Sequence, residues 1–263
     1  MIDYGQLIEW SYSGKSEYDV NAYNRIIEVI MKNFDIDDYY LQGSYANSTG
    51  VFSSSDVDIV VVCDGYYINS YNWKTDLKRL KYDLFNAIDN SYNFHFELGK
   101  KTIKYKGSSI YSPVDILPCI QYVSSEGNNG IAFYDHSKNR YVVNYPKQHK
   151  ENGVEKNKRT NGSYKKIVRV FKNLRDYLID EDELGEDIAP SYYVECLLYN
   201  VPDYCYVDYV PDSFFNVTRW LSKNFGSMFC VKCQNEITDL FDSYNGWNMS
   251  DFYKFLNAVC RWS

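Results

Sequence analysis

The sequence is poor in what a membrane or secreted protein needs. No apolar run approaches the roughly 20 residues of a membrane-spanning helix. The start, Met1-Ile2-Asp3-Tyr4-Gly5-Gln6, has neither the basic n-region nor the apolar core of a secretory signal. The 7 cysteines are odd in number and scattered, with Cys63, Cys119, Cys196 and Cys260 in apolar surroundings. That usage reads as reduced, buried thiols and excludes a disulfide framework. Cys230 and Cys233 have C-x-x-C spacing, but no second pair and no nearby histidine completes the ligand set of a structural zinc site. Only 3 histidines occur, His95, His136 and His149, without partner spacing, so none reads as a general base. Positive charge is scarce too. The 28 Lys and Arg against 35 Asp and Glu leave a net charge of −7, which argues against a broad nucleic-acid footprint and any requirement for DNA or RNA. There is no internal repeat and no low-complexity tract. The expectation is a cytoplasmic monomer without a membrane anchor.

Aromatic residues, by contrast, are abundant. They make up 18% of the 263 residues, 28 of them tyrosines, which suit half-buried positions where the ring packs and the hydroxyl stays wet. The length allows a full core in one large domain or two lobes. A helical period runs over residues 16–34 through Val20, Tyr23, Ile26, Ile27 and Ile30. A second covers 71–91 through Leu77, Leu80, Leu84, Phe85 and Ile88. Strand patterns occupy 39–42, 56–63, 94–98, 101–105, 110–120, 131–134 and 140–144. After Pro146 the character changes to helices, over 164–178, 191–199, 213–224 and 249–262. The stretch from Lys147 to Arg175 is locally basic, and its Lys156, Lys158 and Arg159 read as a solvated loop. Residues 180–187 are acidic and read as a solvated loop between helices. The expected fold is α/β (α+β), a lobe with a mixed sheet over residues 1–145 and a helical lobe over 146–263.

The chemistry-bearing residues cluster in the first lobe. Gly43-Ser44-Tyr45-Ala46-Asn47-Ser48-Thr49 precedes Ser55-Asp56-Val57-Asp58-Ile59-Val60-Val61-Val62, and Ser112-Pro113-Val114-Asp115-Ile116-Leu117-Pro118 follows on a later strand. Side chains at i and i+2 of a strand share a face about 6.5–7 Å apart, so Asp56 and Asp58 converge on shared cations. A two-metal site spaces its ions about 3.5–4 Å apart and stabilises both oxygens of an in-line displacement. Carboxylate oxygens suit two Mg²⁺ or Mn²⁺ ions, with triphosphate oxygens and water completing the shells. Asp115 completes the set, nearest the attacking hydroxyl. Gly43 lets the backbone approach phosphate, and Ser44 opens a short helical turn over 44–49 whose N–H groups favour anions, with the hydroxyls of Ser44 and Thr49 adding donors. The combination predicts metal-dependent nucleotidyl transfer.

These residues resemble the nucleotidyltransferase superfamily of DNA polymerase β, and within it the bacterial cGAS/DncV-like nucleotidyltransferases, together with cyclic GMP–AMP synthase and oligoadenylate synthetase. The segment 41–62 is similar to the family signature and 114–118 to its third-carboxylate strand; Ser48 departs, since many members have Gly there. In the helical lobe, Ile167-Val168-Arg169-Val170-Phe171-Lys172-Asn173-Leu174 resembles the helix whose lysine contacts the donor triphosphate, which implicates Lys172. Pro190-Ser191-Tyr192-Tyr193-Val194-Glu195 resembles the helix start whose serine binds phosphate and whose tyrosine stacks on the base, which implicates Ser191 and Tyr192. The resemblance implies an active site between the lobes, and an N-terminal helix, beginning at Ser16, that spans both. It also implies synthesis of a cyclic di- or trinucleotide second messenger from nucleoside triphosphates in antiphage signalling, acting on a separate effector protein. Three alternatives stay open. They are AMP transfer to a protein or small molecule, linear synthesis of the oligoadenylate synthetase kind, and a nucleotide sensor without turnover.

Overall fold

The computed structural model describes residues 3–12, 17–51, 57–68, 75–89, 94–108, 111–241 and 247–262. These residues form two compact units. One comprises the described residues within 15–46 and 55–146, the other those within 1–14, 47–54 and 147–263.

The first unit is built on a mixed sheet. Strand β1 (Asp38–Gln42) pairs antiparallel with β2 (Val57–Val62), which pairs parallel with β7 (Val114–Val123). On its other side β7 pairs antiparallel with β6 (Ile103–Tyr105), and β6 with β5 (Phe96–Leu98). The far end of β7 leaves this ladder to pair with β8 (Asn129–Asp135), which pairs with β9 (Arg140–Asn144). Because strand side chains alternate, β2 presents Val57, Ile59 and Val61 to one face and Asp58, Val60 and Val62 to the other. The first face packs on Ala22, Ile26 and Ile30 of α2 (Glu17–Asn33) and on Leu80, Leu84 and Ile88 of α4 (Leu80–Ile88). The second buries Val60 and Val62 with Leu117, Cys119, Ile131 and Phe133. Asp58 and Asp115 therefore belong to the face turned away from α2 and α4.

The helix expected over 71–91 is shorter. Thr75–Asp76 forms a short strand, β4, paired parallel with β3 (Tyr66–Tyr67), and the Asp76 side chain caps the 3₁₀ turn Leu77–Arg79 that leads into α4. A side-chain cap competes with further helix toward the N-terminus. Residues 71–74 and 90–91 of that expectation lie outside the described residues.

The second unit is helical. Its central element is α6 (Ser163–Asp180), whose Ile167, Val168, Val170, Phe171, Leu174 and Leu178 are all buried. A helix buried all round must be enclosed by others. Around it lie α1 (Tyr4–Trp10), α7 (Ser191–Tyr199), α8 (Val210–Asn224) and α9 (Met249–Trp262), with Phe171 packed against Phe214 and Phe255.

One reading is corrected here. Lys156, Lys158 and Arg159 do not lie in a solvated loop but end helix α5 (Pro146–Arg159). The helix buries His149, Gly153 and Lys156 along one stripe, polar or side-chain-free residues that leave no apolar period to read. Lys156 is 2% exposed and donates to the Val201 carbonyl and to Asp203, both at 2.8 Å.

Candidate active site

The parallel pairing of β2 with β7 sets Asp58 directly beside Asp115 on the same sheet face. Both are half-buried. Antiparallel β6 places Lys104 opposite Asp115, and its Nζ lies 3.1 Å from Asp115 Oδ2, while Thr102 Oγ1 donates to the same oxygen at 3.3 Å. Sequence reasoning missed Lys104 and Thr102. Alternation along 101–105 puts both on one face, but only the strand register says which carboxylate they meet. Asp56 lies outside the described residues.

Gly43 opens the short helix α3 (Gly43–Asn47) with φ +67°, in the left-handed region. A Cβ on it would lie 2.1 Å from Asp58 Oδ2, so only glycine lets the backbone pass this close to the carboxylate. Ser44 follows in the same turn and is half-buried. Oxygen donors from neighbouring strands and an open backbone approach fit divalent cations and the triphosphate they bind. Asp58 and Asp115 would hold the cations, with Asp56 the third carboxylate of the sequence set. Among the described residues no group of three or more His, Cys, Asp or Glu side chains is placed to hold a metal. Cys230 is exposed and Cys233 buried, and the Cys233 thiol neighbours Cys196, whose hydrogen bond to it draws its pKa below the ordinary thiol value.

The remaining candidates lie in the helical unit. Thr49 and Lys172 meet, with Lys172 Nζ 3.2 Å from Thr49 Oγ1 and 3.3 Å from the Thr49 carbonyl. Lys172 is only 1% exposed, and its main partner is Glu195 Oε1 at 2.5 Å. Burial alone would push the Glu195 carboxyl up. The Lys172 ammonium and the His149 hydrogen bond outweigh it and hold the group below the ordinary glutamate range. Ser48, between these residues, has φ +57°, in the left-handed region that glycine adopts without strain. Arg169 Nη1 holds the Ser48 carbonyl at 2.6 Å. Ser191 begins α7, where free N–H groups favour an anion, and its Oγ accepts from Arg175 Nη1 at 2.8 Å. Tyr192 stacks on His149 with ring centroids 5.1 Å apart, and burial raises the pKa of its phenol. The sequence reading sets His149 aside for want of partner spacing and assigns Glu195 no role, yet the two meet, with His149 Nε2 3.1 Å from Glu195 Oε2. Their role depends on partners that no local spacing announces.

Residues 151–262 match the cGAS/DncV-like nucleotidyltransferase C-terminal helical domain, and residues 24–113 match the polymerase beta nucleotidyltransferase domain. The cyclic UMP-AMP synthase of Rhodothermus marinus is 38% identical over 247 residues, covering 84% of this chain and 82% of its own. The chain belongs to the cGAS/DncV-like nucleotidyltransferases. The cyclic nucleotide synthase CdnE01 of Staphylococcus haemolyticus is 33% identical over 285 residues, covering 95% of this chain and 94% of the relative. Among solved structures, the Elizabethkingia meningoseptica CdnE cyclic dinucleotide synthase with GTP and Apcpp has a TM-score of 0.88 at 28% identity, covering 100% of this chain and 99% of that one. The Rhodothermus marinus CdnE c-UMP-AMP synthase with Apcpp and Upnpp has a TM-score of 0.85 at 32% identity, covering 99% and 96%. The protein is thus a nucleotidyltransferase with the polymerase-β-like α/β fold expected from its motifs, in a family that uses divalent metals. No described helix is long and apolar enough to cross a membrane.

Proposed function

We propose that this cGAS/DncV-like nucleotidyltransferase joins two ribonucleoside triphosphates into a cyclic dinucleotide. Each bond forms by attack of a ribose hydroxyl on an α-phosphorus, releasing pyrophosphate. The observation that carries the reading is the register of β2 with β7, which sets Asp58 beside Asp115 under a glycine that admits no Cβ. Two Mg²⁺ or Mn²⁺ ions bound by Asp56, Asp58 and Asp115 would neutralise triphosphate charge and make the hydroxyl more acidic. The protein's own groups do the rest. Asp115 aligns the hydroxyl and draws on its proton, with Lys104 beside it to orient the carboxylate. Gly43 and Ser44 cradle the β- and γ-phosphates through backbone N–H groups. The Thr49 hydroxyl donates to Glu195 and accepts from Lys172, so Thr49 and Lys172 support the site by fixing the turn after α3. Ser191 offers the α7 N-terminus to phosphate, and the Tyr192 ring offers a π-face to a base.

The relatives include synthases named for UMP-AMP, dipurine, GMP-AMP and dipyrimidine products. Membership alone therefore leaves the bases of this product to experiment. On this reading the enzyme acts in the cytoplasm as a monomer, and its product is a second messenger in antiphage signalling that activates a separate effector protein.

The test is product analysis by mass spectrometry. The protein is incubated with all four ribonucleoside triphosphates and Mg²⁺ or Mn²⁺, then treated with phosphatase, with Asp58→Asn as control. A phosphatase-resistant cyclic dinucleotide made by the wild type and lost in Asp58→Asn is expected, and its mass names the bases. A linear product only, or turnover unchanged in Asp58→Asn, refutes the proposal.

A further inference from the structure

Glu195 lies one helical turn after Ser191 on α7 and is 3% exposed. Both of its oxygens are engaged. Oε1 accepts from Thr49 Oγ1 and from Lys172 Nζ, each at 2.5 Å. Oε2 accepts from Asn47 Nδ2 at 3.0 Å and meets His149 Nε2 at 3.1 Å. The partners come from the last residue of α3 and the turn after it, from α5 and from α6. The other face of the His149 contact is Tyr192, stacked at an interplanar angle of 23°. The Tyr192 hydroxyl in turn accepts from Asn235 Nδ2 at 3.4 Å, so the ring is held at its face and at its tip.

We propose that Glu195 is the positioning residue for the nucleotide-binding groups of the helical unit. One buried carboxylate sets Thr49 directly and the Tyr192 ring through His149. The inference rests on the nucleotide-binding reading above. A buried ion pair is weak evidence for stability, since well-packed apolar residues serve as well or better. What it adds is direction, because hydrogen bonds from four side chains fix where each donor must sit. The turn is tied at every residue: Asn47 and Thr49 to Glu195, the Ser48 carbonyl to Arg169, and the Thr49 carbonyl to Lys172. Lys172 thereby serves as a strut of the site, its ammonium satisfied by Glu195 and Thr49.

The experiment uses the full chain with Mg²⁺ and non-hydrolysable analogues of ATP, GTP, CTP and UTP, comparing wild type, Glu195→Gln and the double variant Glu195→Gln/Lys172→Met. Kd for the analogue that the wild type binds, KM for the matching nucleoside triphosphate, kcat and Tm are measured, with binding read well below each Tm. The expected result for Glu195→Gln is a rise of about tenfold or more in Kd and KM with kcat changed less than about threefold, the signature of lost uniform binding. Removing both buried charges in the double variant restores Tm, because an unpaired buried charge costs more than none, but leaves Kd raised. A Kd within twofold of wild type in Glu195→Gln, or recovery of Kd together with Tm in the double variant, overturns the positioning role. Should Glu195→Gln fail to fold, the double variant alone decides. Wild-type protein that binds none of the four analogues sinks the nucleotide reading and this inference with it. Wild-type binding with an unchanged Kd in the variants sinks only the inference.

Discussion

Replacing Gly43 by alanine adds one methyl group where the structure has no room for it. The residue has φ +67°, and the new Cβ would sit 2.1 Å from Asp58 Oδ2, 3.0 Å from Asp58 Cγ and 3.3 Å from Asp58 Cβ. Two costs follow. The left-handed backbone costs an L-residue about 1–2 kcal/mol, which lowers Tm by about 2–8 °C for a chain of this size. The second falls on the chemistry. The contact must open to an ordinary separation, which moves the Asp58 carboxylate by about 1 Å, and a misplacement of that size costs on the order of 10²-fold in rate. That corresponds to about 2.7 kcal/mol of transition-state stabilisation. The assay pairs calorimetry with the rate of product formation at a temperature well below Tm. Gly43→Ala should remain folded with kcat/KM down about 100-fold. Added to Asp58→Asn it should cost little more, because both changes act on one carboxylate. Activity within threefold of wild type in a folded Gly43→Ala would refute the claim that Gly43 exists to admit Asp58.

Ser48 at φ +57° should tolerate glycine, with stability changed by no more than about 1 kcal/mol because relief of strain opposes added chain entropy. Ser48→Val should destabilise by about 1–2 kcal/mol, since a branched Cβ suits this backbone least; urea unfolding of the two variants reads the difference. Gly153 lies mid-helix in α5, where alanine would ordinarily gain about 1 kcal/mol. A Cβ there would lie 2.3 Å from Gln234 Nε2, which donates to the His149 carbonyl at 2.7 Å, so Gly153→Ala should instead lower stability by about 1–3 kcal/mol. Glu195 makes a pH prediction of definite sign. Its folded pKa lies below its unfolded value of about 4.3, so its stabilising contribution is complete above that value and is lost as pH falls toward the folded pKa. The Tm gap between wild type and Glu195→Gln should narrow as pH falls below about 4; a gap that holds to pH 3 in scanning calorimetry would contradict it.

Local pattern made much of this protein legible. The apolar period of residues 16–34 appears as α2 and that of 164–178 within α6, because burying one face of a helix requires that spacing. The strand readings at 39–42, 56–63 and 140–144 hold in β1, β2 and β9. The family, too, was readable from the Gly-Ser turn and the three aspartates, residue types that suit phosphate and metal chemistry. Helix α5 was not, because its buried stripe is His149, Gly153 and Lys156, held by hydrogen bonds and close packing with no apolar period.

By itself, then, the sequence determined most of the elements, the nucleotidyltransferase chemistry and the candidate carboxylates. Each of these is written in residue type and short-range spacing. Tertiary structure alone decided which groups meet. That Asp58 pairs with Asp115 and Lys104 with Asp115 follows from strand register, which no single strand contains. That Lys172 answers to Glu195, and Asn47 to a carboxylate 148 residues away, follows from helix packing. The physical reason is the same in each case. A buried charge or polar group must find its partner wherever the fold brings one within hydrogen-bond reach, and that distance is set by the packed chain as a whole.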